Sequence, residues 1–235
     1  MAEEQQVAFE RGRTITARRY DAGPAAIATL VLAHGAGGGQ ASAFMVEFAT
    51  GLSARGLHVV TFNFPFTERG KRLPDPQPVL ESCFRAILAH VAADPVLGAL
   101  PLFIGGKSLG GRMASHVAAA RDADEAPAGS WWDRLRGLVF LGYPLHPPGK
   151  PEQLRDAHLP GIACPMLFVQ GTRDAFARED LLLALIARLT PRAELVRVAE
   201  ADHSFRVLKS SGRTAEAVQR EVERATLSWL EKRGL

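Results

Sequence analysis

Cysteine is scarce in this sequence, and its scarcity excludes two kinds of protein. Only two cysteines, Cys83 and Cys164, occur among the 235 residues. They cannot supply a disulfide framework, and no cluster of potential metal ligands surrounds either of them. We therefore expect neither a disulfide-stabilised secreted domain nor a metal site.

Long apolar runs and a strong charge imbalance are missing as well. No uncharged apolar run reaches the length of a membrane span, and the opening MAEEQQVAFERGR lacks the basic and apolar regions of a signal peptide. The formal net charge of +3 gives no reason to expect a nucleic acid or an anionic membrane as partner. We expect a cytoplasmic protein with neither of these partners.

The composition is that of a globular protein with a sizeable core. Hydrophobic residues make up 47% of the chain and charged residues 23%, which argues against global disorder. The stretches rich in proline and glycine at 64–78 and 142–165 are too short to separate domains. We expect one domain that covers residues 1–235.

Apolar runs of strand length alternate with stretches of helical periodicity, which indicates an α/β fold. Six such runs follow one another, at 28–36, 58–65, 100–106, 137–144, 165–171 and 193–199. Helices are predicted at 42–55, 78–93, 109–121, 181–189 and around Val218 to Trp229. Segments 6–10 and 14–20 alternate instead, which suggests an antiparallel pair at a sheet edge. The pattern predicts a mostly parallel sheet covered by helices on both faces, with functional residues at the carboxyl ends of its strands.

The stretch FIGGKSLGGRM, residues 103–113, has two possible interpretations with different chemistry. A phosphate-binding loop of the form G-x-x-x-x-G-K-S/T requires a glycine at position 101, where this chain has Pro101. The strand GLVFL that follows also ends in Gly142 rather than in a magnesium-binding aspartate. These two departures argue against a nucleotide site.

The same stretch fits a nucleophile elbow, G-x-S-x-G, from Gly106 to Gly110 with Ser108 at its centre. An elbow is a sharp turn between a buried strand and a helix. A side chain at either flanking position would collide with the neighbouring strand or helix, so both positions require small residues. We predict that Ser108 is a nucleophile.

A serine hydroxyl needs a base to take its proton, and in this architecture the acid and the histidine follow the serine along the chain. Asp174 comes after the strand PMLFVQG, and His203 comes after the strand AELVRVA. The order and placement of these residues predict a catalytic triad of Ser108, Asp174 and His203.

Other histidines and carboxylates are weaker candidates by position. His34 precedes the serine and is expected to shape a loop, and Asp202 is too close to His203 in the chain to reach its far ring nitrogen. Asp180 falls inside a predicted helix. The alternative role for Asp174 is that of a helix N-cap or turn residue. The remaining histidines lie before the acid or inside predicted strands and helices: His58, His90, His116, His146 and His158.

The glycine-rich stretch HGAGGG, residues 34–39, follows the first central strand of the sheet. In a hydrolase of this architecture such a loop supplies one backbone N–H to an oxyanion hole. Ala36 is the predicted donor, with Gly37 next, and Leu109 is the predicted second donor. The alternative is an ordinary glycine turn.

At these positions the chain resembles the α/β-hydrolases, and in particular the small dienelactone-hydrolase-like proteins. That group includes a branch named after a testis-expressed protein and a subunit of a chromatin-modifying complex. The motifs that carry the resemblance run in order from residue 32 to residue 205: LAHGAGG, FNFPF, GGKSLGGRMAS, GYPLHPPGKPEQLR, CPMLFVQGTRD and ADHSF.

The resemblance implies a mainly parallel sheet of about eight strands and the triad named above. True dienelactone hydrolases carry a cysteine where Ser108 stands, so the resemblance does not predict dienelactone as the substrate. It predicts a hydrolase of a carboxylic ester or thioester of a small soluble substrate, with no cofactor. Hydrolysis of amide or peptide bonds and a non-catalytic interaction module remain alternatives, and the oligomeric state stays open.

The loops beside the predicted site suggest how a substrate is bound. The interval from Pro144 to Cys164 has room for a loop and one short helix, so we expect no large lid domain. Loops 64–78 and 144–160 are expected to form the walls. Their apolar contacts are predicted to come from Phe64, Phe66, Tyr143 and Leu145.

Several basic residues lie close to the predicted site. The basic loop with Arg69, Lys71 and Arg72 is expected to be solvated, with attraction of an acidic substrate as the alternative. Arg112 is expected to form a structural ion pair, and the sequence assigns no role to Lys107.

Overall fold

A single sheet of eight strands organises the part of the chain that the computed structural model describes, residues 2–10, 12–120 and 130–233. The strands occur in the spatial order β1-β2-β4-β3-β5-β6-β7-β8. Their bounds are β1 Glu3–Phe9, β2 Arg13–Tyr20, β3 Ala28–Ala33, β4 Leu57–Phe62, β5 Leu102–Lys107, β6 Leu135–Leu141, β7 Met166–Gly171 and β8 Ala193–Val198.

The sheet has one antiparallel edge and is otherwise parallel. Strand β1 pairs antiparallel with β2, and β2 pairs antiparallel with β4. The pairs from β4 through β3, β5, β6 and β7 to β8 are parallel. This arrangement confirms the predicted mostly parallel sheet, with the two alternating segments paired at its edge. The central strands β3, β4 and β7 are buried along their whole length, as expected when helices cover both faces.

Helices cover the two faces unequally. The bounds are α1 Ala43–Ser53, α2 Pro65–Glu68, α3 Gln77–Ala93, α4 Leu109–Ala119, α5 Trp131–Arg134, α6 Glu179–Leu189 and α7 Ala215–Glu231. Apolar residues of α1 and α7 join one hydrophobic core. Those of α3, α4 and α6 join the other. Two cores therefore hold the sheet from opposite sides, which fixes the carboxyl ends of its parallel strands.

Helix α3 shows how local sequence sets an element of this fold. Its inward side chains recur at helical spacing, and Leu80, Phe84 and Val91 are among those fully buried. The helix ends at Ala93 because Asp94 adopts an extended conformation. The carboxylate of Asp94 then accepts the next free N–H groups of the chain. The predicted span 78–93 differs from the observed span by one residue.

The predicted strands run past the observed ones at their carboxyl ends. The run 28–36 is a strand only to Ala33, and the run 58–65 only to Phe62, since Pro65 begins the short helix α2. Sequence patterning also missed α2 and α5, which have four residues each. The predicted helix 109–121 ends at Ala119, and residue 121 lies outside the described residues. The excess residues of the strand predictions form the loops around the candidate site.

Residues 142–165, between β6 and β7, carry no helical cap. The interval is fully described and contains one three-residue 3-10 turn, Leu159–Gly161, as its helical structure. The expected absence of a large lid between these strands therefore agrees with the structure. Within the described ranges, every helix is too short or too polar to cross a membrane.

Candidate active site

Ser108 lies in a strained turn between β5 and α4. Its backbone has φ 51° and ψ −114°, a conformation that side-chain-bearing residues rarely adopt. The Ser108 N–H donates to the carbonyl of Leu141 at 3.0 Å, which ties the turn to the end of β6. Because strain of this kind persists only where the surroundings enforce it, the turn is a feature of the site rather than an accident of the loop.

Two glycines allow the turn to fit against β3. A Cβ atom added at Gly106 would lie 2.3 Å from the carbonyl oxygen of Ala33. One added at Gly110 would lie 2.1 Å from the same oxygen. Both distances are far below van der Waals contact, so these positions exclude a side chain, as the elbow pattern predicts.

We expect the substitution Gly106→Ala to destabilise the protein. The new methyl group would force the elbow away from β3, and overpacking of a tight interior costs about 1–3 kcal/mol or more. Thermal unfolding of the purified variant would measure the effect. Gly161→Ala is a matched control because a Cβ there meets nothing within 4 Å. Equal melting temperatures for the two variants would contradict the steric account of the elbow.

The imidazole of His203 lies between the hydroxyl and the carboxylate predicted to flank it. Its Nε2 is 2.7 Å from Oγ of Ser108. Its Nδ1 is 2.7 Å from Oδ2 of Asp174. With the ring proton on Nδ1, the imidazole donates to the carboxylate and accepts from the hydroxyl. Three side chains separated by up to 95 positions thus form one continuous hydrogen-bonded chain.

A tight turn presents His203 to the serine. The carboxylate of Asp202 accepts the N–H of Ser204 at 2.8 Å and the N–H of Arg206 at 2.9 Å. Phe205 has φ 60°, an uncommon value for a residue with a bulky side chain. Asp202 therefore closes the turn, while Asp174 is the carboxylate that meets the ring.

Asp174 is held on three sides. Besides His203, its carboxylate accepts from Nε2 of Gln170 at 2.5 Å and from the N–H of Phe176 at 2.8 Å. Gln170 is anchored in turn because its Oε1 accepts the N–H of Tyr143. The bond from Phe176 is the turn role considered for Asp174, and it coexists with the contact to His203. Sequence reasoning missed Gln170, although a buried amide in the otherwise apolar β7 was an available signal.

The rival histidines are occupied elsewhere. His34 accepts the N–H of Phe64 at 3.0 Å and donates to the carbonyl of Gly35, so it shapes the loop as expected. His146 accepts the N–H of Arg178 at 2.9 Å. His158 lies 2.7 Å from Oγ of Ser115, and burial lowers its pKa to about 3. These contacts do not bring them to Ser108.

A cleft of about 550 Å³ opens above Ser108 and His203. Its apolar walls come from Phe44, Met45 and Phe176. The ring of Phe176 stacks on the imidazole of His203, with centroids 4.2 Å apart. A second cavity of about 570 Å³ adjoins it along residues 36–38.

The predicted apolar walls were largely wrong. Phe64, Tyr143 and Leu145 are completely buried in the core, so they do not face the cleft. Phe66 is almost as buried and borders the second cavity. Sequence reasoning missed Phe44 because it belongs to a helix whose apolar face was assigned to the core alone. The walls come from α1 and the loop after β7 instead.

The basic residues near the site have different surroundings. Arg69 forms an ion pair with Asp75. Lys71 and Arg72 are exposed and border the second cavity. The expected ion pair of Arg112 was wrong, since its guanidinium donates to the side-chain oxygen of Gln77 at 2.9 Å.

The predicted oxyanion donors lie on either side of Ser108. Ala36 borders the same cleft as Ser108 and belongs to the loop after β3. Leu109 is the first residue of α4, and the first turn of a helix has N–H groups without helical partners. The hydrogen bonds of this helix begin with the N–H of Arg112, which donates to the carbonyl of Ser108. The N–H of Leu109 is thus placed where an oxyanion donor is needed.

A comparison with family models gives this geometry its context. Residues 26–231 match the model of an α/β-hydrolase domain. The chain belongs to the α/β-hydrolase family. This membership supports hydrolysis as its reaction class, and it confirms the fold class expected from the sequence.

Solved structures share the α/β-hydrolase fold over nearly the whole chain. A dienelactone hydrolase from Anabaena variabilis is 18% identical, with 98% of this chain and 97% of that chain covered and a TM-score of 0.74. An α/β serine hydrolase homologue from Coxiella burnetii is 19% identical, with coverage of 94% and 96% and a TM-score of 0.71. An α/β serine hydrolase without a lid from Xanthomonas campestris is 17% identical, with coverage of 97% and 94% and a TM-score of 0.68. Identities this low establish a shared fold, and they agree with the resemblance to dienelactone-hydrolase-like proteins.

Proposed function

We propose that this α/β-hydrolase cleaves a carboxylic ester or thioester of a small soluble substrate through Ser108, His203 and Asp174. The observation that carries the proposal is the position of His203, whose two ring nitrogens lie 2.7 Å from the hydroxyl and 2.7 Å from the carboxylate. A neutral imidazole held in this way accepts a proton from serine, and the carboxylate stabilises the resulting cation.

The reaction begins when Oγ of Ser108 attacks the ester carbonyl and its proton passes to Nε2 of His203. The tetrahedral intermediate collapses as the bond to the leaving alcohol or thiol breaks, and His203 returns the proton to that group. An acyl group then remains on Ser108. Water attacks this acyl-enzyme with His203 as base, the carboxylic acid leaves, and Oγ regains its proton.

The negative oxygen of both tetrahedral intermediates is received by the N–H groups of Ala36 and Leu109. Removing one such donor from a hydrolase costs roughly 100- to 1,000-fold in rate. The elbow strain at Ser108 supports this assignment because it places Oγ and the N-terminus of α4 side by side. The proposed chemistry uses no metal ion or cofactor.

The shape of the cleft supports a small substrate. Phe44, Met45 and Phe176 give an apolar wall beside Ser108, which suits a short acyl group. The single domain over residues 1–235 and the cytoplasmic location remain predictions that accompany this proposal.

We expect p-nitrophenyl esters of short acids to be hydrolysed much faster than the p-nitroanilides of the same acids. An anilide is the less reactive acyl donor, and it requires protonation of a poor leaving group. Steady-state kcat/KM for matched pairs measures the preference. Faster anilide cleavage would replace the ester assignment with amide chemistry. A folded protein with no turnover and no reaction with a serine-directed phosphonate would favour an interaction module.

A further inference from the structure

Lys107 is the residue immediately before the candidate nucleophile, and its side chain turns towards the candidate base. Its Nζ donates a hydrogen bond to the backbone carbonyl of His203. A Cβ atom built at Gly142 would lie 3.0 Å from this Nζ and 3.5 Å from Nδ1 of His203. The ammonium, the carbonyl and the imidazole therefore gather around one small residue at the end of β6.

Two aromatic rings complete the surroundings of the ammonium. Nζ lies 4.9 Å from the ring centroid of Phe205 and 5.9 Å from that of Phe44. These rings stack on each other with centroids 5.7 Å apart. A cation near such faces is attracted by their electron density. Lys107 thus contacts both the carbonyl of His203 and the side chain of Phe205, the residue with the uncommon backbone conformation in the same turn.

The connection joins two distant parts of the chain at the site. The backbone of Lys107 leads directly into the strained turn of Ser108, and its side chain binds the turn that presents His203, 96 residues later. Any shift of that turn changes the distance between Nε2 of His203 and Oγ of Ser108. The same turn has few other long-range hydrogen bonds, since Asp202 closes it through neighbouring N–H groups.

We propose that Lys107 is a positioning residue for His203 and that its protonated form holds the imidazole in register with Ser108. The inference rests on the proposed function, because register matters for proton transfer between these two side chains. A displacement of about 1 Å between reacting groups can cost on the order of 100-fold in rate.

The charges around Lys107 determine when the protonated form is present. Burial lowers the pKa of Lys107 to about 8, and the carboxylates of Asp174 and Asp202 oppose that shift. On its other sides Phe44, on α1, and Gly142, after β6, carry no charge. The ammonium therefore predominates below about pH 8 and is lost above it. We expect kcat to fall as the pH rises through this range.

The test compares Lys107→Met and Lys107→Arg with the wild type, and it uses Lys232→Met as a control for the loss of an exposed lysine. We expect Lys107→Met to lower kcat by about 10- to 100-fold with KM changed less than about threefold. Lys107→Arg should recover part of kcat and lose the fall near pH 8, since a guanidinium stays protonated. Amide hydrogen exchange in residues 201–206 should be faster in Lys107→Met, and Lys232→Met should match the wild type.

Two results would overturn the inference. One is a Lys107→Met variant with wild-type kcat and an unchanged alkaline fall. The other is a variant that only melts at a lower temperature, with kcat of the folded protein retained, as packing alone would predict. Hydrogen exchange of residues 201–206 needs no substrate, so it reports on the contact even if no ester is turned over. Failure of the proposed function would instead appear as equal rates for wild type and a Ser108 variant.

Discussion

Replacing Ser108 by alanine should reduce ester hydrolysis by up to about a millionfold, the loss seen when a serine protease loses its nucleophile. The alanine side chain cannot form the acyl-enzyme, and water would have to attack the substrate directly. The fold should survive, because the change removes one hydroxyl whose partner is the half-buried ring of His203. Initial rates with a p-nitrophenyl ester, read over several hours, would measure the loss.

A matched control separates this effect from a general loss of a hydroxyl. Ser53 is on α1, where its hydroxyl donates to the carbonyl of Thr50. We expect Ser53→Ala to keep the wild-type rate. An alanine variant at position 108 with wild-type esterase activity would remove Ser108 from the mechanism, whatever the geometry around it.

The substitution Asp174→Asn should lower kcat by about 10,000-fold while KM changes little. An amide nitrogen facing Nδ1 of His203 favours the wrong tautomer, with the proton on the nitrogen that faces Ser108. The loss of the negative charge also destabilises the imidazolium formed during attack. In addition, one bond from Gln170 or Phe176 would lose its acceptor, so a lower melting temperature is expected.

The control for this prediction is a carboxylate that makes no contact with the site. Asp180→Asn meets this need, since Asp180 is exposed and pairs with Arg178. Kinetics should leave that variant unchanged. If Asp174→Asn were as active as Asp180→Asn, the carboxylate would be a turn residue only, and the charge partner of His203 would have to be sought elsewhere.

The parts of the site that sequence reasoning predicted are those set by local backbone chemistry. The elbow is recognisable because Gly106 and Gly110 leave no room for a side chain, and that demand is written into the sequence as a pattern. The positions of Asp174 and His203 follow from strand order, since residues after parallel strands meet at one edge of the sheet. These rules place residues near each other without needing side-chain packing.

The parts that sequence reasoning missed depend on which way a side chain turns. Phe64 was expected to face the substrate and is buried, whereas Phe44 was assigned to the core and lines the cleft. Periodicity does not separate these cases, because both residues are aromatic and follow strands or helices of the same core. The contact from Lys107 to His203 spans 96 residues, and no pattern in the neighbourhood of Lys107 indicates it.

The most direct test of the account is covalent labelling by a serine-directed fluorophosphonate, followed by intact mass and peptide mapping. The account predicts one adduct per chain, located on Ser108. It also predicts much slower labelling in a His203→Ala variant, because Oγ would have no base. Labelling of a different serine, or equally fast labelling without His203, would contradict the claim that these two side chains act together.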